Sequence, residues 1–361
     1  MKIIHAADFH LDSPFSGLSA DRASLRREEQ RTLLERLADL ANEEQADLVL
    51  LAGDLLDGRQ VYRETILALA RTLGRIRARV FIAPGNHDPY NADSPYALPI
   101  WPDNVYIFSS SLPTPVPIPE LNCTVYGAAF REEICDRSPL EGFHAPRDGQ
   151  LHLMVLHANT EGPGYAPISP TAIESSGLDY LALGHIHSHQ VGKLDDRGTW
   201  CYCGCLEGRG FDECGEKGFV LLHVENHQIR QEFVPFARRQ MEEIPVDITD
   251  LTTVSQILQA MEESAREVPG ENLVKFTLTG AYTLETQKDL SFLNKMLEGK
   301  FYYHKIKDES RLKIEKETYE HDISLKGEFI RLVMASDKTE EEKERIICCG
   351  IRALSGEEVE Q

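Results

Sequence analysis

The chain has 361 residues and carries 38 Lys and Arg against 59 Asp and Glu, a formal charge of −21. At roughly 100–200 residues per domain, that length allows two or three domains, and a content of 42% apolar and 27% charged residues is that of a globular protein. The acidic balance argues against simple electrostatic capture of nucleic acid, which needs clustered Lys and Arg, and no apolar run approaches the roughly 20 residues a membrane helix needs. The opening MKIIHAADFHLD places Asp and His where an export signal is apolar. The expectation is a cytoplasmic protein without membrane association, its eight cysteines kept as reduced thiols.

Short apolar runs and helical stretches alternate through the first 200 residues. Residues 2–7 predict a strand ending at Asp8. Residues 21–43 have helical periodicity, with Leu25, Leu33, Leu37, Leu40 and Ala41 on one face. The run ADLVLLA at 46–52 predicts a strand buried on both sides. A second helix is predicted over 62–76 and a third strand over 79–83, closed by Pro84-Gly85. This rhythm implies a layered α/β domain. Prolines at 113, 115, 117 and 119 predict an extended surface loop over 109–122, a polyproline ligand being the alternative. Further strands are predicted at 124–129, 152–156, 179–183 and 217–224. From about Arg238 the character changes, which places a domain boundary near 236–244. Beyond it come a helix at 257–265, a strand at 273–279, a helix at 289–297 and a last helix at 338–354.

Five short motifs fall at the ends of predicted strands: Asp8-Phe9-His10, Gly53-Asp54, Gly85-Asn86-His87-Asp88, His157, and Gly184-His185-Ile186-His187. Ligand sites in open α/β sheets lie outside the carboxyl ends of strands, so segments distant in sequence can converge on one edge. Carboxylate, imidazole and amide oxygen together suit Mn²⁺, Fe²⁺ or Zn²⁺. Asp8 and His10 share one face of an extended segment, as do His185 and His187, and a lone Asp such as Asp54 can bridge two ions. Two ions about 3.5–4 Å apart can hold a phosphate and supply a nucleophile for in-line attack. Each motif alone is weak. All of them in this order, with the rare GNHD string, make a strong signal.

That series is similar to the signature of the calcineurin-like metallophosphoesterases. The strings HAADFHLDSPF, LAGDLLD, APGNHDPY, LHAN and LALGHIH resemble more specifically the SbcD-type and YhaO-type DNA repair exonuclease branch, over roughly residues 1–225. The resemblance implies a four-layer α/β-β/α sandwich with a smaller C-terminal α+β capping domain. The divisions would be 1–238 for the nuclease domain, 239–335 for a cap that selects DNA, and 336–361 for a helix and acidic tail that dock a partner. It also implies two divalent ions, Mn²⁺ foremost, with one held by Asp8, His10 and His187 and the other by Asn86, His157 and His185. Asp54 would bridge them. His87 would face the scissile phosphate as general acid or as a charge stabiliser, roles that suit an imidazole titrating near neutrality. DNA, an SMC-like ATPase and a second copy of the chain are the partners the resemblance implies. The alternatives are a phosphodiesterase or phosphatase for small molecules with the same centre, and a non-catalytic metal-binding subunit.

Neighbouring residues have plainer readings. His5 reads as a buried, hydrogen-bonded histidine and His189 as a solvated one. Asp12 and Asp57 read as orienting ligands or as caps and turns, and Asp88 as shaping the loop of Asn86 and His87. After GHIH the pattern departs from that of SbcD-type proteins. Cys201, Cys203, Cys205 and Cys214 could hold zinc or be small buried apolar groups. Arg209, within LEGRGFDE, could meet a DNA phosphate or form a structural ion pair. Lys300, Lys305, Lys307, Arg311, Lys313 and Lys316 form a locally basic stretch that fits either DNA backbone or a solvated strand pair. The last helix carries Ile346, Ile347, Ile351 and Leu354 behind Glu340, Glu341 and Glu342, acidic residues that favour a helix N-terminus. That stripe docks either on the chain's own core or on a partner.

Overall fold

The structure is a computed structural model that describes residues 1–58, 61–314 and 319–354. The chain separates into two units, Met1–Glu242 and Glu243–Gln361.

In the first unit the elements run in order: β1 (Lys2–Ala6), α1 (Ala20–Glu43), β2 (Leu48–Leu51), α2 (Arg63–Gly74), β3 (Arg79–Ile82), β4 (Val105–Ile107), β5 (Thr114–Ile118), β6 (Cys123–Gly127), β7 (Leu151–His157), α3 (Pro170–Ser175), β8 (Tyr180–Gly184), β9 (Gln190–Lys193), β10 (Thr199–Tyr202), β11 (Gly218–Glu225) and β12 (Gln228–Pro235). They build two six-stranded sheets, ordered β12-β11-β1-β2-β3-β4 and β5-β6-β7-β8-β10-β9. Strands β1 to β4 are parallel, as are β6, β7, β8 and β10.

The side-chain period of two explains the layering. Along β1, Ile3 enters a core between the sheets with Leu48, Leu50, Phe81, Val125, Leu153 and Val155. Its neighbour Ile4 turns to the opposite face, where Leu51, Val80 and Ile82 meet Leu33, Leu37, Leu69 and Leu73 of the helices. The outer face of the second sheet packs Met154, Leu156, Leu181 and Leu183 against α3 and its flanking loops. The result is the expected four-layer α/β-β/α sandwich. Strands apolar on both faces are those whose two faces are both covered. In α1 the buried stripe includes Arg26, Gln30, Leu34 and Ala38, whereas Leu25 is exposed.

The proline-rich segment corrects the sequence expectation. Thr114–Ile118 is an edge strand antiparallel to β6, with Pro115 and Pro117 paired opposite Tyr126 and Thr124. Both prolines sit at the exposed alternate positions. An edge strand tolerates proline where the missing N–H would face away from the ladder.

The second unit contains β13 (Met241–Asp247, which starts just before it), α4 (Val254–Ser264), β14 (Leu273–Thr279), β15 (Ala281–Tyr282), α5 (Leu290–Leu297), β16 (Tyr303–Asp308), β17 (Arg311–Leu312), α6 (Leu325–Met334) and α7 (Glu340–Leu354). Thr253 and Gln256 form a capping box at the start of α4. The sheet β13-β14-β16 packs Val246, Phe276 and Leu278 against Ile257, Met261, Leu293 and Leu297. In the last helix, Ile347 and Ile351 pack with Phe329 and Ile330 of α6, so that part of the stripe is covered by the chain itself. The basic stretch lies partly on β16, where Lys305 and Lys307 are exposed; Lys300 pairs with Glu262, and Lys316 lies outside the described residues. Among the described residues no helix is long and apolar enough to cross a membrane.

Candidate metal centre

The parallel strands β1, β2 and β3 end side by side. Main-chain bonds tie their exits together, Asp8 N–H to Gly53 O at 3.0 Å and His10 N–H to Asp54 O at 2.9 Å. From the other sheet β7 ends in His157 itself, and β8 ends at Gly184 just before His185. The two sheets come so close here that a Cβ on Gly184 would lie 1.9 Å from Ala52 O. Four of the expected ligands take left-handed backbone, at φ 55° for Asp8, 44° for His10, 51° for Asp54 and 103° for His185. For a residue with a Cβ this costs of order 1–3 kcal/mol, and such strain concentrates at functional sites.

Asp88 holds the turns in place. Its Oδ1 accepts from Gly85 N at 2.8 Å and Asp54 N at 3.2 Å. Its Oδ2 accepts from Leu55 N at 2.7 Å, Leu56 N at 3.1 Å and the Tyr96 hydroxyl at 2.6 Å. Gly85 leaves room for the neighbouring carboxylate, since an added Cβ would fall 2.2 Å from Asp54 Oδ1. Gly85→Ala is therefore expected to displace Asp54 and weaken metal binding by roughly the 10–100-fold typical of losing a ligand-orienting contact, as read by equilibrium dialysis. Unchanged metal affinity would refute this account of the glycine.

All seven sequence-proposed ligands meet at this edge. Asp8, His10, Asp54, Asn86 and His157 are buried, and His185 and His187 are half-buried. Three overlapping groups have ligand atoms within 4.8 Å of one another: Asp8, His10 and His187; His10, Asp54 and His87; and Asp8, Asp54 and His157. His185 belongs to none of these, but its N–H donates to both Asp8 carboxylate oxygens at 3.2 Å, and its ring lies 5.2 Å from that of His157. His87 projects outward, with its side chain 43% exposed.

The donor pattern fits cations. The Nδ1–H of His157 donates to Ala52 O at 2.9 Å, so Nε2 is the ring atom that faces Asn86 Oδ1 at 2.9 Å and Asp54 Oδ2 at 3.3 Å. His10 Nδ1 lies 3.3 Å from Asp57 Oδ1, and His187 Nδ1 lies 2.7 Å from Glu213 Oε1. With each Nδ1 proton given to its carboxylate, the two Nε2 atoms face each other at 3.3 Å as acceptors. A cation shared by such converging lone pairs satisfies them all. The electrostatics agree. Burial holds His10 and His185 low, both at about 4, so they are neutral ligands. Burial also lifts Asp8 to about 6. Burial opposes charge on His157 as well, yet Asp54 and Asp8 push it up to about 9. Without metal, Asp54 and Asp8 are met by a proton on His157, and a bound cation would take that proton's place.

His5 is buried between the Tyr180 hydroxyl at 2.9 Å and Leu183 O at 3.2 Å. Desolvation lowers it from 6.5 to about 3. Between those two values the unfolded chain holds a proton that the native state does not, so the stabilising effect of the neutral ring is complete above pH 6.5 and is lost as pH falls toward 3. His5→Gln should therefore be destabilised relative to the parent at pH 7.5 but lose less stability between pH 7.5 and 5 in urea unfolding; parallel losses would refute it. Asp12 accepts from Tyr62 N and Thr65 Oγ1, both at 2.9 Å, and so caps α2. His189 stacks on Phe233 at 4.6 Å, exposed. Cys201, Cys203 and Cys205 are buried and held protonated by desolvation. Among the described residues no metal-capable group contains a cysteine, which supports the apolar reading of these thiols. None of the eight cysteines is joined in a disulfide.

Asp57 takes the ligand-orienting one of its two readings, and Glu213 goes beyond what the motifs disclosed. Asp57 meets both His10 Nδ1 and, at 3.0 Å, His87 Nδ1. Glu213 orients His187, and burial is outweighed there by His187 and Arg209, which hold the carboxyl down to about 2. Glu213 joins the site across 26 residues of sequence.

A family model described as "Calcineurin-like phosphoesterase" matches residues 1–189. The chain belongs to that family. This phosphoesterase is also similar to the "Uncharacterized metallophosphoesterase YhaO" of Bacillus subtilis (strain 168), with 31% identity over 278 residues, 73% of this chain and 67% of the relative. Among solved structures, the protein TT1561 of Thermus thermophilus aligns with 64% of this phosphoesterase and 98% of its own chain, at 13% identity and a TM-score of 0.39.

Proposed function

We propose that this phosphoesterase hydrolyses phosphodiester bonds in DNA with two divalent ions, Mn²⁺ foremost, as an exonuclease of repair or recombination. The observation that carries the reading is the meeting, at one sheet edge, of Asp8, His10, Asp54, Asn86, His157, His185 and His187 beside an outward-facing His87. When bound, the ions would neutralise phosphoryl charge and lower the pKa of water toward neutrality. One would be held by Asp8, His10 and His187, the other by Asn86, His157 and His185, with Asp54 between them. Asp57 holds His87 by Nδ1, which leaves Nε2 for the scissile phosphate and its leaving oxygen.

The choice of DNA is supported by the SbcD-type strings and by the exposed Lys305, Lys307 and Arg311 of the second unit, which would add phosphate-backbone charge to an acidic chain. Exposed Ile323, Leu325 and Leu332 in that unit suit a protein partner such as an SMC-like ATPase. The test is Mn²⁺-dependent cleavage of end-labelled single- and double-stranded DNA beside bis-p-nitrophenyl phosphate. Shortening of the DNA is the expected result. Hydrolysis of the small ester with intact DNA would overturn the DNA reading in favour of a small substrate.

A further inference from the structure

The segment LEGRGFDE at 206–213 takes no part in the reaction above, yet its polar groups reach the metal centre. Glu213 Oε1 accepts from His187 Nδ1 at 2.7 Å and from Arg209 Nη2 at 2.9 Å, while Oε2 accepts from Arg209 N at 2.7 Å. Arg209 Nη1 lies 3.8 Å from Asp57 Oδ2. The other oxygen of Asp57 serves His10 and His87. Because His10 and His187 meet at Nε2, the contacts run in a closed circuit: His187, Glu213, Arg209, Asp57, His10. Arg209 is the cation between its two carboxylates.

The segment is also anchored from behind. Arg26, fully buried in α1, donates to Glu207 and to Gly208 O at 3.1 Å. Glu29 joins Arg26 at 2.9 Å and Arg239 at 2.7 Å. These bonds fix the backbone on which Arg209 stands. The side chains of Arg209, Asp57 and Glu213 are 20%, 12% and 6% exposed, so their charges are poorly screened. His157, by contrast, is oriented by the carbonyl of Ala52, which depends on neither carboxylate.

We propose that Arg209 is a positioning residue that ties Glu213 to Asp57, and so fixes the tautomer and aim of His187 and His10. Metal affinity at the Asp8, His10 and His187 position then depends on Arg209, and affinity on the His157 side does not. This rests on the two-metal reading of the site. The planar fork of arginine suits the bridging of two carboxylates, which a lysine point charge does less well.

The experiment is Mn²⁺ titration of the metal-stripped full chain by equilibrium dialysis, with electron paramagnetic resonance to separate paired from isolated ions. The parent should bind two ions with a coupled spectrum. Arg209→Met should keep one ion at parental affinity and bind the other roughly 10–100-fold more weakly, with an isolated-ion signal at intermediate metal. Arg209→Lys should fall between. Glu213→Gln, which keeps an acceptor but no charge, should weaken the same ion and serves if Arg209→Met does not fold. Equal weakening of both ions, or parental binding of both in Arg209→Met and Glu213→Gln, would overturn the role of Arg209. A phosphate contact by Arg209 would give the latter result with weakened DNA binding. Fewer than two ions in the parent would instead overturn the two-metal reading.

Discussion

Replacing Asp54 by Asn is expected to take bound Mn²⁺ from two ions per chain to one or fewer and to remove essentially all hydrolysis. Asp54 Oδ2 lies 3.3 Å from His157 Nε2 and 3.8 Å from His10 Nε2, so one oxygen faces both sets of ligands. The other oxygen accepts from His87 N at 2.9 Å. Asn keeps one carbonyl oxygen and loses the charge, which leaves Asp8 as the single carboxylate among the proposed ligands. Charge stabilisation by bound metal amounts to several kcal/mol, and each 1.36 kcal/mol is tenfold in rate, so a loss of about 10³-fold or more follows. Asn is the better replacement because Asp54 sits at φ 51°, a conformation Asn tolerates and Ala does not. The turn itself should survive, since Asp88 grips the main chain at Asp54, Leu55 and Leu56. Two ions per chain in Asp54→Asn would remove Asp54 from the bridging position.

Why the ligands were legible in sequence, and supports other than Asp57 and Asp88 were not, has a physical basis. Each ligand stands at or within a few residues of a strand end, and strands buried on both faces announce themselves as unbroken apolar runs such as LVLL and YLALG. The exits of parallel neighbours lie together, so the motif order and the sheet edge carry the same information. The left-handed backbone of Asp8, His10 and Asp54 left no such trace, because none of them is glycine. Gln30, which donates to Phe9 O at 3.1 Å and His10 O at 3.3 Å, was hidden as one polar residue inside a buried helix face. The ring through Glu213 and Arg209 needed the structure, since a charged pair four residues apart in a glycine-rich turn carries no sign of what lies across from it. The edge strand β5 was misread for a related reason: proline marks a missing N–H, and only the register tells which side of the ladder it faces.

His87→Ala is expected to do the opposite of Asp54→Asn, keeping both ions and losing turnover. The bond from His87 to Asp54 Oδ1 is made by the main-chain N–H, which alanine retains. Asp57 keeps its contact with His10 at 3.3 Å, so the buried ligands should stay aligned. What disappears is an imidazole that is 43% exposed and raised above its ordinary pKa by its bond to Asp57. Positioned proton transfer contributes roughly 10²–10⁴-fold, and that is the expected loss on DNA with metal content unchanged by dialysis. Parental cleavage of DNA by His87→Ala would sink the assignment, and a fall in bound metal would make His87 a ligand alongside His10 and Asp54, a grouping their geometry allows. The leaving group then separates the two roles open to the ring. A general acid matters most when the departing oxygen is a strongly basic alkoxide, as in DNA, and little when it is p-nitrophenolate, which leaves without a proton. A cation that stabilises the phosphoryl oxygens serves both esters. If His87 donates the proton, the variant should hydrolyse bis-p-nitrophenyl phosphate at close to the parental rate while failing on DNA. Equal losses on the two substrates would assign it to charge stabilisation.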